Sequence, residues 1–402
     1  MASSNDLRVG IIGCGGRGTG AVTQALLSTK HPVKLWAMGD LFRDKLDKCF
    51  NFLHQGGKGR YDRDNIDSLK HLMDVPESRK FVGFDAYQKV IDSEVDIVIL
   101  TCPPHFRPVH FKAAVEAGKH VFMEKPVAVD PAGIRSVLKS AKLAEQKGLF
   151  VVAGTQRRHQ KHYLQIIKRI HNGAIGDILA AQCYWNGEGS SLRRKKPDGM
   201  SDMEWQCRRW YYWTWLSGDH IVEQHVHNID VINWVLRAHP VSAMGLGGRS
   251  AREGGNIWDH FAVEFEYPGG LKATSYCRQI KGTSWQVSER IVGTKGIAYI
   301  DSSNGFIKGQ NNYQAPASPN PYVQEHADLI NSIVNGRPIN EGKNVAESTM
   351  AAIMGRMSAY TGRALKWDWA MKSSKLDLSP DKYELGPLPV APVAMPGITK
   401  LI

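Results

Sequence analysis

Several features that define other protein classes are absent from this sequence. The six cysteines contain no Cys-x-x-Cys pair and no even spacing, which argues against a zinc site and against a disulfide framework. We therefore expect reduced thiols. There is no run of about 18 apolar residues, so we expect no membrane span. There is also no internal repeat.

Positive charge is in excess, with a formal net charge of +12 at pH 7, but it is scattered. The densest basic run, residues 193–196, lies among Ser, Pro, Asp and Gly and predicts a solvated loop. Without a basic stripe or a reading module, we expect no nucleic-acid partner. Residues 1–6 do not form a signal peptide as written. The default expectation is a cytoplasmic protein, and a periplasmic one stays open if an export signal has been removed.

The length of 402 residues favours two domains. The boundary is predicted near residue 153, where the pattern of alternating strands and helices ends. We expect residues 1–153 to bind a nucleotide cofactor. Residues 154–402 would bind substrate and form subunit contacts.

An apolar strand from Val9 runs directly into Gly-Cys-Gly-Gly-Arg-Gly at residues 13–18. In the pattern Gly-x-Gly-x-x-Gly, Gly13 permits a tight turn, Gly15 lets the backbone approach phosphates, and Gly18 lets the next helix pack closely. A helix is predicted over residues 19–28. The pattern indicates a dinucleotide site, and the alternative is a glycine-rich turn without a ligand.

The next apolar run, residues 33–38, ends at Asp40. A carboxylate at this distance from the glycines can accept hydrogen bonds from the adenosine ribose and would repel a 2′-phosphate. This favours NAD over NADP, although Arg43 nearby could accommodate a phosphate.

The remaining pattern predicts an α/β protein with two kinds of sheet. A doubly wound parallel sheet continues through strands at 95–100, 119–123 and 150–154 with helices at 109–117 and 131–146, after a polar excursion at 51–70. A mainly antiparallel sheet follows, with strands at 178–185, 260–267, 271–277, 285–292 and 297–300 and helices at 324–335 and 345–361. The Pro-rich tail, residues 385–402, should lie extended on a surface or a neighbouring subunit. We expect a homodimer or homotetramer.

Glu124, Lys125 and Pro126 follow a predicted strand at the carboxyl edge of the parallel sheet, where such folds bind ligands. A lysine there can hydrogen-bond the hydroxyl that loses hydride. The alternative is a solvated strand end. The candidate cofactor contacts are Gly13, Gly15, Gly16, Arg17, Gly18, Asp40, Arg43, Cys102, Pro103, His105, Glu124 and Lys125.

A second polar cluster lies at residues 217–230. If the chain is helical from Val222, then Glu223, His227 and Asp230 share one face. His227 suits a general base, with Glu223 fixing its tautomer. A metal on His225 and His227 is the alternative, but residues two apart on a helix diverge and no third ligand is marked. His225 points to the apolar side and is predicted to be structural.

These residues together resemble the glucose-fructose oxidoreductase and inositol dehydrogenase (Gfo/Idh/MocA) family. The resemblance covers most of the chain. It rests on residues 13–18, on Ala-Gly-Lys-His-Val at 117–121 leading into Glu124-Lys125-Pro126, on Gly-Ala-Ile-Gly at 173–176, and on His-Asn-Ile-Asp at 227–230.

The resemblance implies a Rossmann domain, a C-terminal α/β domain with an open sheet often used in oligomerisation, and hydride transfer at a sugar or polyol hydroxyl. It also implies catalytic Lys125 and His227, Glu124 near the nicotinamide ribose, and Asp230 binding or orienting substrate. Three residues depart from the family pattern. Glu223 replaces the usual Asp, His225 a common Gly, and Arg107 a frequent His, which leaves the pocket shape open.

Further candidates for substrate binding are Arg158, Arg209, Trp210 and Tyr211. The resemblance puts Arg158 near the cleft, and the aromatic rings at 205–215 could pack on a sugar, although such rings more often form core or interface. We expect an NAD-dependent oxidoreductase acting on a carbohydrate ring hydroxyl. The alternatives are a redox-neutral enzyme that recycles bound NAD through a keto-sugar, and a non-catalytic sensor or scaffold.

Overall fold

The computed structural model describes residues 6–58, 65–189 and 191–402. The start of the chain at residues 1–5 and the centre of the predicted polar excursion at 59–64 lie outside the described residues. The described chain forms two compact units. Unit 1 takes its residues from Met1–Val127, Ser136–Gln156 and Asn320–Lys343, and unit 2 from Ala128–Arg135, Arg157–Pro319 and Asn344–Ile402.

The strands are β1 Leu7–Ile12, β2 Val33–Asp40, β3 Gly57–Lys58, β4 Asn65–Ile66, β5 Lys80–Val82, β6 Ile97–Leu100, β7 His120–Met123, β8 Val151–Ala153, β9 Ile178–Gly187, β10 Ser242–Gly248, β11 His260–Glu266, β12 Lys272–Gln279, β13 Gln286–Gly293, β14 Gly296–Asp301, β15 Gly305–Gly309, β16 Tyr313–Gln314 and β17 Leu365–Lys366. The α-helices are α1 Gly16–Leu27, α2 Arg43–Gln55, α3 Ala86–Ile91, α4 Arg107–Glu116, α5 Pro131–Gln146, α6 Lys161–His171, α7 Asp202–Arg208, α8 Thr214–Ser217, α9 His220–Glu223, α10 Val226–Leu236, α11 Pro321–Asn335, α12 Gly342–Thr361 and α13 Trp367–Lys372.

Unit 1 is built on a six-stranded parallel sheet in the order β5-β2-β1-β6-β7-β8. Every residue of β6 is buried, as expected for a central parallel strand of continuous apolar residues. Strand order reverses next to β1, so the carboxyl ends of β1 and β6 flank the crevice where this topology binds ligands.

Helix α11 belongs to unit 1 although it is distant from the other residues of that unit in sequence. Its Leu329 and Ile330 are buried in the same apolar cluster as Val9 and Ile11 of β1. The following residues run beside β8, where the Val151 N–H donates to the Ile339 carbonyl at 2.9 Å. Unit 1 therefore completes its core with a segment that follows most of unit 2 in the chain.

Unit 2 contains a nine-stranded mixed sheet in the order β16-β15-β14-β13-β9-β12-β11-β10-β17. All neighbours pair antiparallel except β9 and β12, which are parallel. Helices α6 and α10 cover one face through a cluster that includes Ile167, Val231 and Ile291. The predicted fold class, a doubly wound parallel sheet followed by a mainly antiparallel one, is confirmed.

Residues 387–394 lie without helix or strand against the rest of unit 2, and residues 395–399 form a turn. The backbone carbonyls of Leu388, Ala391 and Ala394 accept hydrogen bonds from the side chains of Gln206, Asn256 and Trp258. An extended tail on a surface was expected, and the structure shows that its own unit supplies that surface.

Two local predictions were wrong. The excursion predicted from residue 51 begins later, because α2 continues to Gln55 and buries Leu53. The helix predicted to run continuously from Val222 is interrupted at Gln224 and His225, between α9 and α10.

Candidate active site

The turn between β1 and α1 in unit 1 has the close packing that its glycines predict. Gly13 has a φ of +100°, and a Cβ there would lie 2.5 Å from the Cys102 amide nitrogen. A Cβ on Gly18 would lie 1.9 Å from the Gly13 carbonyl oxygen. A Cβ on Gly15 would have no atom within 4 Å. Because α1 begins at Gly16, the open space at Gly15 faces a helix N-terminus and fits a pyrophosphate.

Asp40, the last residue of β2, is connected to this turn. Its carboxylate accepts hydrogen bonds from the backbone N–H groups of Cys14, at 2.6 Å, and Phe42, at 2.8 Å. Burial raises the pKa of Asp40, and the two backbone donors act in the opposite direction. Each carboxylate oxygen keeps a lone pair that could accept a ribose hydroxyl.

Arg43 is half-exposed and engaged by two carboxylates. It lies 2.9 Å from Asp47 and 2.5 Å from Glu77. These ion pairs engage Nε and Nη1 at the surface, so a 2′-phosphate bound by Arg43 would have to compete with two carboxylates.

Glu124 follows β7 and pairs with Arg17 on the first turn of α1. Arg17 Nε donates to Glu124 Oε1 at 2.5 Å, and its Nη2 lies 3.6 Å from the buried Glu325 of α11. Two of the predicted cofactor residues, Arg17 and Glu124, thus form an ion pair that connects α1 to the carboxyl end of β7. Lys125 comes next, is partly buried, and precedes Pro126 with a cis peptide bond.

The candidates after β6 are held mostly by neighbours within unit 1. Cys102 Sγ lies 3.2 Å from His110 Nδ1 and 3.4 Å from Arg107 Nη1, and burial raises the pKa of the thiol. Arg107 also donates to the Leu100 carbonyl at 2.9 Å. Arg107 is one of the departures from the family pattern. Its side chain binds the carbonyl of Leu100, the last residue of β6. Pro103 precedes a short 3-10 turn in which His105 is buried.

In unit 2 the helix interruption changes the predicted geometry of the histidine cluster. The His220 carbonyl accepts hydrogen bonds from the N–H groups of both Gln224, at 2.9 Å, and His225, at 3.1 Å. This wider turn separates Glu223, the last residue of α9, from α10. Glu223 therefore does not share a continuous helix with His227, whereas His227 and Asp230 remain three residues apart on α10.

His227 is 6% exposed and lies on the first turn of α10. The Trp185 ring of β9 stacks on its imidazole at 5.8 Å between centroids and 18° between planes. Two residues earlier, His225 is fully buried with Nε2 2.8 Å from Ser275 Oγ. Burial lowers the pKa of His225 to about 3, with the charges of His220 and Arg157 acting in the same direction. The prediction that His225 turns to the buried apolar side is confirmed, and its structural role stays a prediction.

Asp230 is 1% exposed, and its carboxylate is occupied by protein donors. Arg158 binds it with two hydrogen bonds, Nε to Oδ2 at 2.8 Å and Nη2 to Oδ1 at 2.9 Å. Ser348 Oγ donates to Oδ1 at 2.7 Å. The predicted substrate residues Arg158 and Asp230 therefore meet, and the geometry suits Asp230 to orienting Arg158.

The aromatic segment brings Tyr211 close to Glu223. Tyr211 accepts a hydrogen bond from Gln279 Nε2 at 2.6 Å, and Gln279 in turn accepts one from Arg252 at 2.6 Å. Burial raises the pKa of Tyr211 well above its usual range, and the charge of Glu223 adds to the shift. Gln279 and Arg252 were not predicted.

The other two candidates in this segment contact aromatic neighbours. Trp210 meets the Tyr211 ring edge-on at 5.7 Å, and Arg209 lies 5.4 Å from the Trp205 ring centroid.

Glu289 on β13 is a further buried polar residue that was not predicted. It lies on the same strand face as the buried Ile291. A charged residue in an otherwise apolar row of a strand was the available sequence signal. Burial raises the pKa of Glu289 to about 7, against the opposing effects of Arg157, Tyr163 and Asn228.

No group of three or more His, Cys, Asp or Glu side chains that could hold a metal ion occurs among the described residues. All six cysteines are buried and unbridged. Within the part of the chain that the structure describes, no helix is both long enough and apolar enough to cross a bilayer.

Two consecutive parts of the chain match models of known protein families. Residues 7–155 match a model described as an oxidoreductase family with an NAD-binding Rossmann fold, and residues 163–299 match the GFO/IDH/MocA C-terminal domain. The chain belongs to the Gfo/Idh/MocA oxidoreductase family. The expected cofactor class, NAD, agrees with the family description.

Two curated relatives show the range of activities within similar sequences. A 2,7-anhydro-N-acetylneuraminate hydratase from Escherichia coli is 28% identical over 52% of this chain and 52% of its own. An inositol 2-dehydrogenase/D-chiro-inositol 3-dehydrogenase from Halalkalibacterium halodurans is 29% identical over 58% of this chain and 59% of its own. The matches thus span a little over half the length of these two relatives.

The fold is also that of solved family members. A scyllo-inositol dehydrogenase from Lactobacillus casei, with bound NAD(H) and scyllo-inositol, superposes with a TM-score of 0.64 at 19% identity. The match covers 90% of this chain and 99% of that structure.

Proposed function

We propose that this family member is an NAD-dependent oxidoreductase that acts on a ring hydroxyl of a sugar, polyol or glycoside. The observation that carries the proposal is the glycine turn, where Gly15 faces open space at the N-terminus of α1 beside the Asp40 carboxylate. Inositol dehydrogenases among the relatives support the substrate class. The domain roles follow, with unit 1 binding cofactor and unit 2 binding substrate.

Bound NAD would supply the hydride acceptor. Lys125 would donate a hydrogen bond to the reacting hydroxyl oxygen, which holds that oxygen in place and stabilises the charge that develops on it. His227 would take the hydroxyl proton as general base. Arg158, oriented by Asp230, would donate hydrogen bonds to neighbouring hydroxyls of the substrate.

A second candidate is a redox-neutral enzyme that recycles its cofactor, and the hydratase relative favours it. Oxidation of a sugar hydroxyl acidifies the neighbouring C–H, so elimination or addition of water can precede reduction back to the alcohol. The same Lys125 and His227 would serve the oxidation and the reduction. The presence of both residues argues against a non-catalytic sensor.

One screen separates these functions. The purified protein is incubated with a panel of inositols, aldoses and glycosides, once with added NAD and once without. NADH formation that requires added NAD supports the dehydrogenase. Product formation without added NAD and without net NADH supports the recycling enzyme. NAD binding without turnover of any compound would favour the sensor.

We also propose a homo-oligomer formed through the outer face of the nine-stranded sheet. Leu246, Ala262, Tyr276 and Tyr184 pair in one row across β10, β11, β12 and β9, and Leu246 is 66% exposed. An apolar row of this kind is typical of subunit contacts. Light scattering should give the molar mass of a dimer or tetramer at micromolar concentration. Leu246→Glu places a charge in the contact, so its measured molar mass should be lower. A wild-type monomer would contradict the proposal.

A further inference from the structure

Glu289 is the centre of a buried hydrogen-bond network inside unit 2. Its side chain is completely buried, and its Oε1 accepts hydrogen bonds from Arg157 Nη1 and Asn228 Nδ2, both at 2.6 Å. Tyr163 donates to Oε2 at 3.0 Å. One carboxylate therefore holds residues from three different segments, namely the turn just before α6, α6 itself and α10.

Two of these contacts lead directly to His227. Asn228 is the next residue on α10, so its hydrogen bond to Glu289 fixes the first turn of that helix on the sheet. The Arg157 guanidinium lies 5.9 Å from the centroid of Trp185, the ring that stacks on His227. Glu289 thus restrains both the backbone next to His227 and the surface against which its imidazole packs.

A second anchor lies on the other side of His227. His225 Nε2 is 2.8 Å from Ser275 Oγ on β12. The neighbours of His227 on both sides are therefore hydrogen-bonded to the sheet, Asn228 to Glu289 and His225 to Ser275. This restraint matters because a displacement of about 1 Å in a catalytic group can cost roughly 100-fold in rate.

Stability alone is a weak explanation for this arrangement. Replacing a buried ion pair with apolar residues of similar volume is often neutral or stabilising, so a core position does not need Glu289 and Arg157. Fixing the orientation of a nearby polar side chain is a task that apolar packing performs less well, since dispersion contacts have little directional preference.

We propose that Glu289 is a positioning residue for His227, acting through Asn228 on one side and through Arg157 and Trp185 on the other. The inference rests on the proposed function, in which His227 is the general base. It adds a residue that contacts neither substrate nor cofactor and that controls the rate of the proton transfer.

The test compares Glu289→Gln with Tyr163→Phe in the full-length protein. Glu289→Gln keeps the side-chain shape but removes the charge and one acceptor from the network. Tyr163→Phe removes the hydroxyl that donates to Glu289 Oε2, whereas Arg157 and Asn228 both donate to Oε1. Steady-state kinetics on the substrate found by the screen should show kcat lowered 10- to 100-fold in Glu289→Gln with KM within about threefold. Tyr163→Phe should keep kcat within twofold.

A second readout does not depend on activity. Diethyl pyrocarbonate modifies neutral imidazoles, and peptide mass spectrometry gives the modification rate of each histidine. Glu289→Gln should change the rate at His227 at least threefold and leave the exposed His71 of unit 1 unchanged. Tyr163→Phe should change neither. Asn228→Leu removes the hydrogen bond from Asn228 to Glu289 and replaces Glu289→Gln in the test if that variant does not fold.

The outcomes are distinguishable. If the wild type turns over no compound, the proposed function fails, and the modification rates still decide whether Glu289 positions His227. If the wild type is active but Glu289→Gln and Asn228→Leu match Tyr163→Phe in kcat and in His227 modification, the positioning role is wrong. An equal loss of folded protein in all three variants, with normal kcat in the folded fraction, would also overturn it.

Discussion

The cofactor-binding candidates of unit 1 and the polar cluster of unit 2 are built in different ways. In unit 1 the backbone makes the site, because Gly13 and Gly18 leave no room for a Cβ and two N–H groups hold Asp40. In unit 2 side chains hold side chains, as in the bidentate Arg158–Asp230 pair. A backbone site depends on a few glycines at fixed spacing, whereas a side-chain site depends on partners brought together from distant strands and helices.

The largest expected effect breaks the backbone site. Gly18→Ala places a methyl group 1.9 Å from the Gly13 carbonyl oxygen, so the turn must open, and NAD affinity should fall more than 100-fold. Gly15→Ala meets open space, so this variant should fold normally and lose NAD affinity by only about tenfold as its methyl group meets the phosphates. Calorimetric titration with NAD and circular dichroism measure both effects. Equal losses in the two variants would contradict the assignment of the turn.

The second prediction concerns the two proposed catalytic residues, Lys125 of unit 1 and His227 of unit 2. Lys125→Met or His227→Ala should lower kcat by roughly 100-fold or more while NAD affinity changes only a few-fold. The double variant should lose much less than the product of the two single losses, since in the proposed mechanism both residues serve one proton transfer. Lys139→Met, at an exposed lysine of α5, is the matched control and should keep wild-type kcat. Near-normal kcat in either single variant would exclude the mechanism.

The third prediction concerns the choice between NAD and NADP, which depends on Asp40, the side chain held by the backbone N–H groups of Cys14 and Phe42. NAD should bind at least tenfold tighter than NADP, because the Asp40 carboxylate would repel a 2′-phosphate. Asp40→Asn keeps an acceptor for the Cys14 N–H but removes the charge, so the ratio of affinities should narrow. Asp368→Asn, at an exposed position of α13 in unit 2, should leave the ratio unchanged. Tighter NADP binding by the wild type would refute the assignment.

The smallest effect concerns the pH dependence of stability in unit 2. His225 has a folded pKa of about 3, below its unfolded value, so its contribution is present above pH 6.5 and is lost as pH falls toward 3. Glu289 has a folded pKa of about 7, above its unfolded value, so its contribution is present below pH 4.5 and is lost as pH rises to 7. Each amounts to at most ~1.4 kcal/mol per pH unit.

Urea unfolding between pH 4.5 and 6.5 measures both contributions. Relative to the wild type, His225→Asn should remove a stability that grows with pH, and Glu289→Gln should remove one that declines with pH. Parallel curves for all three proteins would show that neither group titrates as assigned.

The difference in construction also explains what the sequence could predict. The glycine turn, Asp40 and the position of Lys125 follow from local spacing, so they were available without a structure. The network of Glu289 was not, because its partners are 61, 126 and 132 residues away in the chain. The interruption after Glu223 depends on the His220 carbonyl accepting two hydrogen bonds, which no residue type at 224 or 225 indicates. The roles of the predicted site residues stay predictions.

The placement of α11 has a consequence for how the chain is made. Unit 1 buries Leu329 and Ile330 in the cluster that contains the first strand, and residues 339–341 line the edge of β8. During synthesis from the N-terminus, this core stays open until the ribosome has passed residue 341, when every long strand of the nine-stranded sheet has already been translated. A fragment that stops at residue 156 would expose apolar surface and an unpaired strand edge, both of which promote aggregation. The nucleotide-binding half is first in the sequence, yet its core is complete only after residues 157–319 of unit 2 have been translated.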